Sequence, residues 1–174
     1  MKETRNDVHT QISLPNEEAT LALGALLARS LPTSMVICLS GDLGAGKTTL
    51  TRGFLRALGY SGAVKSPTFT LVESYSFNEE EIIESAVSAL HHFDLYRIED
   101  PEELDFIGFE EYFEGHAHVI IEWPMRAGDR IGSYDFNVAI SHESTSCLAS
   151  LTAASDAAKM WLNHQIKQNQ FNSL

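Results

Sequence analysis

The chain is poor in basic residues and in cysteine. Its 174 residues include 12 Lys and Arg against 24 Asp and Glu, which gives a formal net charge of -12. Affinity for a nucleic-acid backbone comes from clustered Lys and Arg, so this excess of acidic residues argues against a protein that binds RNA or DNA by itself. The two cysteines, Cys38 and Cys147, have neither C-x-x-C nor metal-ligand spacing. Such cysteine usage fits a reducing compartment.

Long apolar runs are also lacking. None approaches the length that spans a membrane, and residues 1–16 are polar, without the apolar core of a signal peptide. We therefore expect a soluble, cytoplasmic protein with no membrane contact. With 44% hydrophobic residues and no repeat or linker, the chain is expected to form one domain over residues 1–174.

The most specific motif is G-x-x-x-x-G-K-[ST], which the run from Gly41 to Thr48 satisfies. A polyphosphate is wrapped closely by backbone N–H groups, and glycines permit that approach. Lys47 would supply a cation for the β- and γ-phosphates, and the Thr48 hydroxyl would face Mg²⁺. The strand-like run 35–39 precedes the loop and a helical pattern follows it, as such a loop requires. The sequence therefore predicts a nucleotide site.

Two carboxylates follow strand-like runs and compete for the metal. Glu122 comes directly after an apolar run, as in a Walker B segment, and is favoured to hold Mg²⁺ directly or through water. Asp94 follows a more polar run, and we expect it to support the water or the metal. Which of the two contacts the metal is left open by the sequence.

Further candidates lie outside the phosphate loop. Thr68 and Thr70 follow the helix after the loop, where nucleotide switches commonly place a hydroxyl that senses the γ-phosphate. Trp123 is a candidate wall of the site or part of a partner surface. The seven histidines, among them His92 and His118, show no zinc spacing, and they are assigned no catalytic role.

The remaining pattern alternates strands and helices. A helix is predicted from an Asn16 cap to Pro32, and residues 66–75 are predicted to form a loop entering a strand. An acidic turn is expected at 78–81, after which 86–93 returns as a hairpin partner or 82–90 forms a short helix. The remaining predicted elements are a helical stretch over 101–113 broken at Gly108, a strand over 117–121, a strand pair over 135–142 and 146–152, and a last helix opened by Ser155 or Asp156.

Four motifs in order resemble the bacterial TsaE (YjeE) family: the loop Gly41–Thr49, Ser66–Val72, His92–Arg97 and Glu122–Pro124. The resemblance spans about residues 14–124. It implies an α/β, P-loop NTPase-like three-layer fold with a central mixed, mainly parallel sheet flanked by helices. It also implies an ATPase, with ATP and Mg²⁺ as ligands, required for threonylcarbamoyladenosine (t6A) modification of the adenosine beside the anticodon in tRNA.

The resemblance further implies roles for residues and partners. ATP hydrolysis would act on the TsaD-TsaB heterodimer, and tRNA would be contacted only through that complex. Residues expected to act in hydrolysis are Lys47, Thr68, Asp94 and Glu122, and Thr48 and Glu122 are expected to hold Mg²⁺. Residues expected to bind the nucleotide are Glu17, Gly41, Asp42, Leu43, Gly44, Ala45, Gly46, Lys47, Thr48, Thr49 and Trp123.

Two other functions use the same loop. A small-molecule kinase would usually need an Arg-rich lid, and the 12 basic residues are not grouped that way. A nucleotide-dependent binding module would need no turnover. A GTP switch is disfavoured because no N-K-x-D motif is present.

Overall fold

A computed structural model of the protein describes residues 8–31, 33–77 and 87–174. The strands in these ranges are β1 Val8–Leu14, β2 Val36–Gly41, β3 Val72–Ser76, β4 Ala89–Asp94, β5 Ala117–Glu122, β6 Phe136–His142 and β7 Cys147–Ala153. The α-helices are α1 Glu17–Ser30, α2 Lys47–Ala57 and α3 Asp156–Lys167, and the 3₁₀ helices are Pro101–Ile107, Phe109–Phe113, Pro124–Ile131 and Gln170–Ser173. Over the described ranges, no helix combines the length and apolarity that crossing a bilayer demands.

The strands form one seven-stranded sheet in the order β1-β7-β6-β2-β5-β4-β3. The central pairs β6–β2, β2–β5 and β5–β4 are parallel, and the outer pairs are antiparallel. Glu122 at the end of β5 is in register with Leu39 of β2 and with Asp94 of β4. The carboxyl ends of three neighbouring strands therefore meet at one edge of the sheet.

The sheet lies between two helical layers. Side chains of β5 alternate, so that Ile120 packs in the cluster formed with the α-helices, while Val119 and Ile121 pack in a second cluster. The second cluster includes Leu104 and Phe109 from the 3₁₀ helices. The predicted three-layer α/β fold with a mixed sheet is confirmed, and the layer on the second face is built from 3₁₀ helices.

Several predicted boundaries are confirmed by the structure. The Asn16 side chain accepts a hydrogen bond from the Ala19 N–H and caps α1, and Ser155 caps α3 in the same way. Gly108, at φ 64°, separates the two 3₁₀ helices where the break was expected. The strand pair β6–β7 and the hairpin pairing of β4 with β3 are also observed.

Other sequence predictions differ from the structure. The edge strand β1 was not predicted, because its exposed positions are polar and few apolar residues mark it. The loop entering a strand that was predicted over 66–75 is, by contrast, observed: β3 begins at Val72, after Leu71 at a positive φ of 65° that no strand continues through. The helix over 101–113 is 3₁₀ in type. Pro32, the turn at 78–81 and most of the alternative helix at 82–90 lie outside the described residues.

Close packing of α1 on α2 positions the phosphate loop, because α2 begins directly after it. Each helix presents a buried glycine to the backbone of the other. A Cβ on Gly24 would lie 2.1 Å from the Leu50 carbonyl oxygen, and a Cβ on Gly53 would lie 2.1 Å from the Leu21 carbonyl oxygen. Any side chain at these positions would push the helices apart.

We predict that Gly53→Ala lowers the free energy of unfolding by about 1–3 kcal/mol, because the overpacked methyl group costs more than helix propensity returns. Urea unfolding measures this difference. Arg56→Ala, which places an alanine on the exposed side of α2, is the matched control and should change stability by no more than about 0.5 kcal/mol. A Gly53→Ala protein as stable as the parent would contradict the helix contact described here.

Candidate nucleotide site

The loop between β2 and α2 is shaped by glycines at positive φ. Gly41, Gly44 and Gly46 have φ values of 141°, 82° and 107°. A Cβ on Gly41 would lie 2.3 Å from the Ile140 carbonyl oxygen, so only glycine fits there. Helix α2 then begins at Lys47 without a side-chain cap. Its first N–H groups and the positive end of its dipole are thus available to an anion.

Lys47 is buried, with 4% of its surface exposed. Its Nζ donates hydrogen bonds to the carbonyl oxygens of Gly41, at 2.9 Å, and Asp42, at 2.8 Å. Burial lowers the pKa of the Lys47 ammonium, and the negative charges of Glu122, Asp94 and Asp42 oppose this shift. The hydrogen bonds of the ammonium go to neutral carbonyl oxygens, whose place the oxygens of an anionic ligand could take.

Trp123 forms one wall beside this ammonium. The Nζ atom of Lys47 lies 4.4 Å from the centre of the indole ring, within cation-π distance. Trp123 itself has φ 60° and ψ 49°, a left-handed conformation that is uncommon for a bulky residue. Its ring also lies 5.1 Å from that of Tyr96. The strained backbone at the end of β5 thus turns the indole toward the loop.

Glu122 lies beside the start of α2 and is buried, with 3% of its surface exposed. Its Oε1 accepts a hydrogen bond from the Thr48 hydroxyl at 2.8 Å. The same oxygen lies 2.9 Å from His92 Nε2. Thr48 and Glu122, 74 positions apart in the chain, are therefore in direct contact.

Asp94 organises a second group of hydroxyls. Its Oδ2 accepts from the Thr68 hydroxyl at 2.7 Å and from the Ser66 hydroxyl, and these two hydroxyls are 2.7 Å apart. Its Oδ1 accepts from the Tyr96 backbone N–H at 3.0 Å. Thr70, the other hydroxyl candidate, is exposed and bonds to Glu73 instead. Of the two threonine candidates, the structure brings only Thr68 to the site.

Two cavities lie on either side of the loop. The first, of about 280 Å³, contains the carboxylates and the Lys47 ammonium; it is lined by Leu43, Gly44, Gly46, Lys47, Thr48, Thr49, Ser66, Thr68, Asp94, Tyr96, Glu122 and Trp123. The second, of about 420 Å³, is lined by residues 14–17, Thr20, Gly44, Ala45, Gly46, Thr49 and residues 142–147. Gly44, Gly46 and Thr49 line both, so the two cavities share the loop as a common wall.

The predicted nucleotide residues distribute over both cavities. Glu17 lines the larger one, and its Oε1 accepts a hydrogen bond from Arg52 at 3.0 Å. Gly41 and Asp42 line neither cavity and contact the site through their carbonyl bonds to Lys47. Every other predicted nucleotide residue lines at least one cavity.

Sequence reasoning missed several members of the site. Ser66 bonds to Asp94, His92 bonds to Glu122, and Tyr96 lines the smaller cavity. The β6–β7 turn at 142–147 walls the larger cavity. The strand-end position of His92, two residues before Asp94 on the same face, was a usable signal for a histidine near the carboxylates.

The donor set fits a magnesium ion held together with phosphates. Thr48 and Glu122 offer hard oxygen ligands at the edge of a phosphate loop, and Mg²⁺ typically takes one or two protein oxygens with the rest from phosphate and water. The described residues contain no cluster of three His, Cys, Asp or Glu side chains that could hold a metal ion.

We predict energetic coupling between Thr68 and Asp94 because their hydrogen bond is partly buried. Asp94→Ala should lower the free energy of unfolding by about 1–3 kcal/mol, since it leaves donors without an acceptor. In a double-mutant cycle measured by urea unfolding, Thr68→Ala and Asp94→Ala should couple by at least about 0.5 kcal/mol.

Thr70→Ala is the matched control for this cycle, because Thr70 is an exposed threonine of the same loop. Its effect and that of Asp94→Ala should add to within about 0.5 kcal/mol. Strict additivity for the Thr68 pair would show that the hydrogen bond does not anchor the loop.

Comparison with known proteins points to one family. The family model for the threonylcarbamoyl adenosine biosynthesis protein TsaE matches residues 14–149. The tRNA threonylcarbamoyladenosine biosynthesis protein TsaE of Haemophilus influenzae is 41% identical over 134 residues, which cover 74% of this chain and 80% of that protein. The protein of the same name from Nostoc sp. is 41% identical over 140 residues, 78% of this chain and 80% of its own.

A solved structure agrees with these matches. The crystal structure of Bacillus subtilis YdiB superposes with a TM-score of 0.73 at 26% sequence identity, covering 94% of this chain and 97% of that one. The matched region 14–149 contains the phosphate loop, Asp94 and Glu122. The chain therefore belongs to the TsaE family of threonylcarbamoyladenosine biosynthesis proteins.

Proposed function

We propose that the protein is a Mg²⁺-dependent ATPase that serves t6A modification of tRNA in the cytoplasm. The observation that carries this proposal is the buried Lys47 ammonium between the uncapped start of α2 and the Thr48–Glu122 pair. That arrangement supplies a cation, free N–H groups and metal ligands within one cavity. The role in tRNA modification is proposed from the family to which the chain belongs.

The two cavities suggest how ATP would lie. The phosphates would occupy the smaller cavity, where Lys47 exchanges its carbonyl partners for phosphate oxygens. The base and ribose would occupy the larger cavity beside Glu17 and the turn at 142–147. The loop glycines would lie between them and contact the bridging phosphate.

Thr48 and Glu122 would hold Mg²⁺, which supplies charge neutralisation for the phosphates when it is bound. Glu122 Oε1 is already engaged by Thr48 and His92, so its contact with the ion would go through Oε2 or a water molecule. Asp94 is the better candidate to organise the attacking water, because it presents a carboxylate and two hydroxyl partners to the same cavity. Asp94 and Thr68 would thus act in hydrolysis.

The TsaD-TsaB heterodimer is the proposed partner. Within the described ranges no arginine lines the phosphate-side cavity. Arg130 is paired with Asp105, and Arg126 donates to the Ile98 carbonyl oxygen. Hydrolysis without an arginine at the transferred phosphate is slow, so we expect low activity alone and stimulation by the partner. The net charge of -12 supports tRNA contact only through the complex.

We predict slow ATP hydrolysis by the purified protein with Mg²⁺ and faster hydrolysis with the TsaD-TsaB heterodimer. Glu122→Ala should reduce the stimulated rate on the order of 100-fold, because it removes a metal-side carboxylate. Lys47→Ala should weaken ATP binding about 10- to 100-fold, since a charge-assisted bond to phosphate is lost. A phosphate-release assay and calorimetry measure these effects.

Lys167→Ala, which removes an exposed lysine at the end of α3, is the matched control and should change neither quantity. A rate of ATP turnover that is unchanged by the heterodimer but increased by a phosphate acceptor would support a small-molecule kinase. Nucleotide-dependent binding to the heterodimer without turnover would support a binding module. Unchanged ATP affinity in Lys47→Ala would overturn the phosphate site itself.

A further inference from the structure

His92, on strand β4, lies close to the proposed metal ligands Thr48 and Glu122. It is completely buried, and it is in register with Ile120 of β5 and Glu73 of β3. Glu122 stands two positions beyond Ile120, so the side chains of His92 and Glu122 lie on the same face of neighbouring strands. Their Nε2 and Oε1 atoms are 2.9 Å apart.

The hydrogen-bond chemistry fixes which atom of His92 carries the proton. An ionised carboxylate only accepts, so Nε2 must donate to Glu122 Oε1. The other ring nitrogen, Nδ1, is buried without a hydrogen-bond partner among the described residues. A bare Nδ1 with a protonated Nε2 is the neutral form that leaves no buried N–H unpaired.

This donation bears on Thr48 through the shared oxygen. Glu122 Oε1 accepts from both His92 and Thr48, so the Thr48 hydroxyl hydrogen points toward Glu122. The lone pairs of the Thr48 oxygen then face away from Glu122. These lone pairs can bind a cation only while the Glu122 carboxylate stays where it accepts the Thr48 hydroxyl hydrogen.

We propose that His92 is a positioning residue that fixes Glu122 through an Nε2–H hydrogen bond and so keeps Thr48 oriented as a metal ligand. The inference rests on the proposed function, because it assigns a residue to the Mg²⁺ site of that function. His92 itself touches neither metal nor nucleotide. Outer partners of this kind typically alter metal affinity 10- to 100-fold when removed.

The test compares variants of the full-length protein by calorimetry. The affinity for a non-hydrolysable β,γ-imido analogue of ATP is measured in EDTA and over a series of Mg²⁺ concentrations. His92→Phe keeps a planar ring of similar size but removes the donor. We expect its Mg²⁺ requirement to rise about tenfold or more, with affinity in EDTA unchanged. His92→Gln places an amide N–H near the Nε2 position and should restore the requirement to within about threefold of the parent.

His118→Phe is the matched control. His118 is also completely buried, but its Nδ1 accepts from the Met35 backbone N–H and it does not contact Glu122. Loss of this imidazole should leave the Mg²⁺ requirement unchanged. An equal rise in both Phe variants would mean that general loosening of the core is responsible, and it would overturn the inference.

A second measurement reads the tautomer of His92 directly. Nitrogen NMR of ¹⁵N-histidine-labelled protein at neutral pH should show the His92 signal, assigned by its loss in His92→Phe, with Nε2 protonated and Nδ1 bare. The opposite tautomer at His92 would overturn the inference. Absence of Mg²⁺-dependent binding by the unaltered protein would overturn both the proposed function and this inference, whereas an unchanged requirement in His92→Phe would overturn the inference alone.

Discussion

Parallel pairing of β2, β4 and β5 is the constraint on which the site depends. Their register brings the end of β2, Asp94 and Glu122 to one edge of the sheet. The chain leaves β2 into the phosphate loop and leaves β5 into the left-handed Trp123, so the backbone turns sharply at both places. Ligands of open α/β sheets bind at such carboxyl edges. Cation, carboxylates and loop glycines converge because the strands end together.

Charge balance within this edge follows from burial. The Lys47 ammonium is held by two carbonyls and an indole face, with Glu122 and Asp94 near enough to oppose the lowering of its pKa by burial. Each carboxylate is in turn engaged by hydroxyl donors, Thr48 for Glu122 and Ser66 with Thr68 for Asp94. One cavity thus holds one cation and two acidic positions, each with its own hydroxyl partners.

Sequence reasoning reached the parts of the site that rest on local patterns. The phosphate loop is a contiguous motif, and Asp94 and Glu122 follow recognisable strands, so their meeting at one edge could be predicted. The bonds of Ser66 and His92 could not, because their partners are 28 and 30 positions away in the chain. The first depends on the path of the loop before β3, and the second depends on register and side-chain direction between β4 and β5. Strand β1 escaped prediction since an edge strand needs few apolar residues, and propensity does not separate 3₁₀ from α-helix over 101–113.

A crystal structure with the β,γ-imido analogue of ATP and Mg²⁺ tests the central claim most directly. The account predicts phosphates in the cavity of about 280 Å³, with Lys47 Nζ moved from the Gly41 and Asp42 carbonyl oxygens to phosphate oxygens. The base should lie in the cavity of about 420 Å³. A nucleotide bound elsewhere, with Lys47 still on the two carbonyls, would contradict the account.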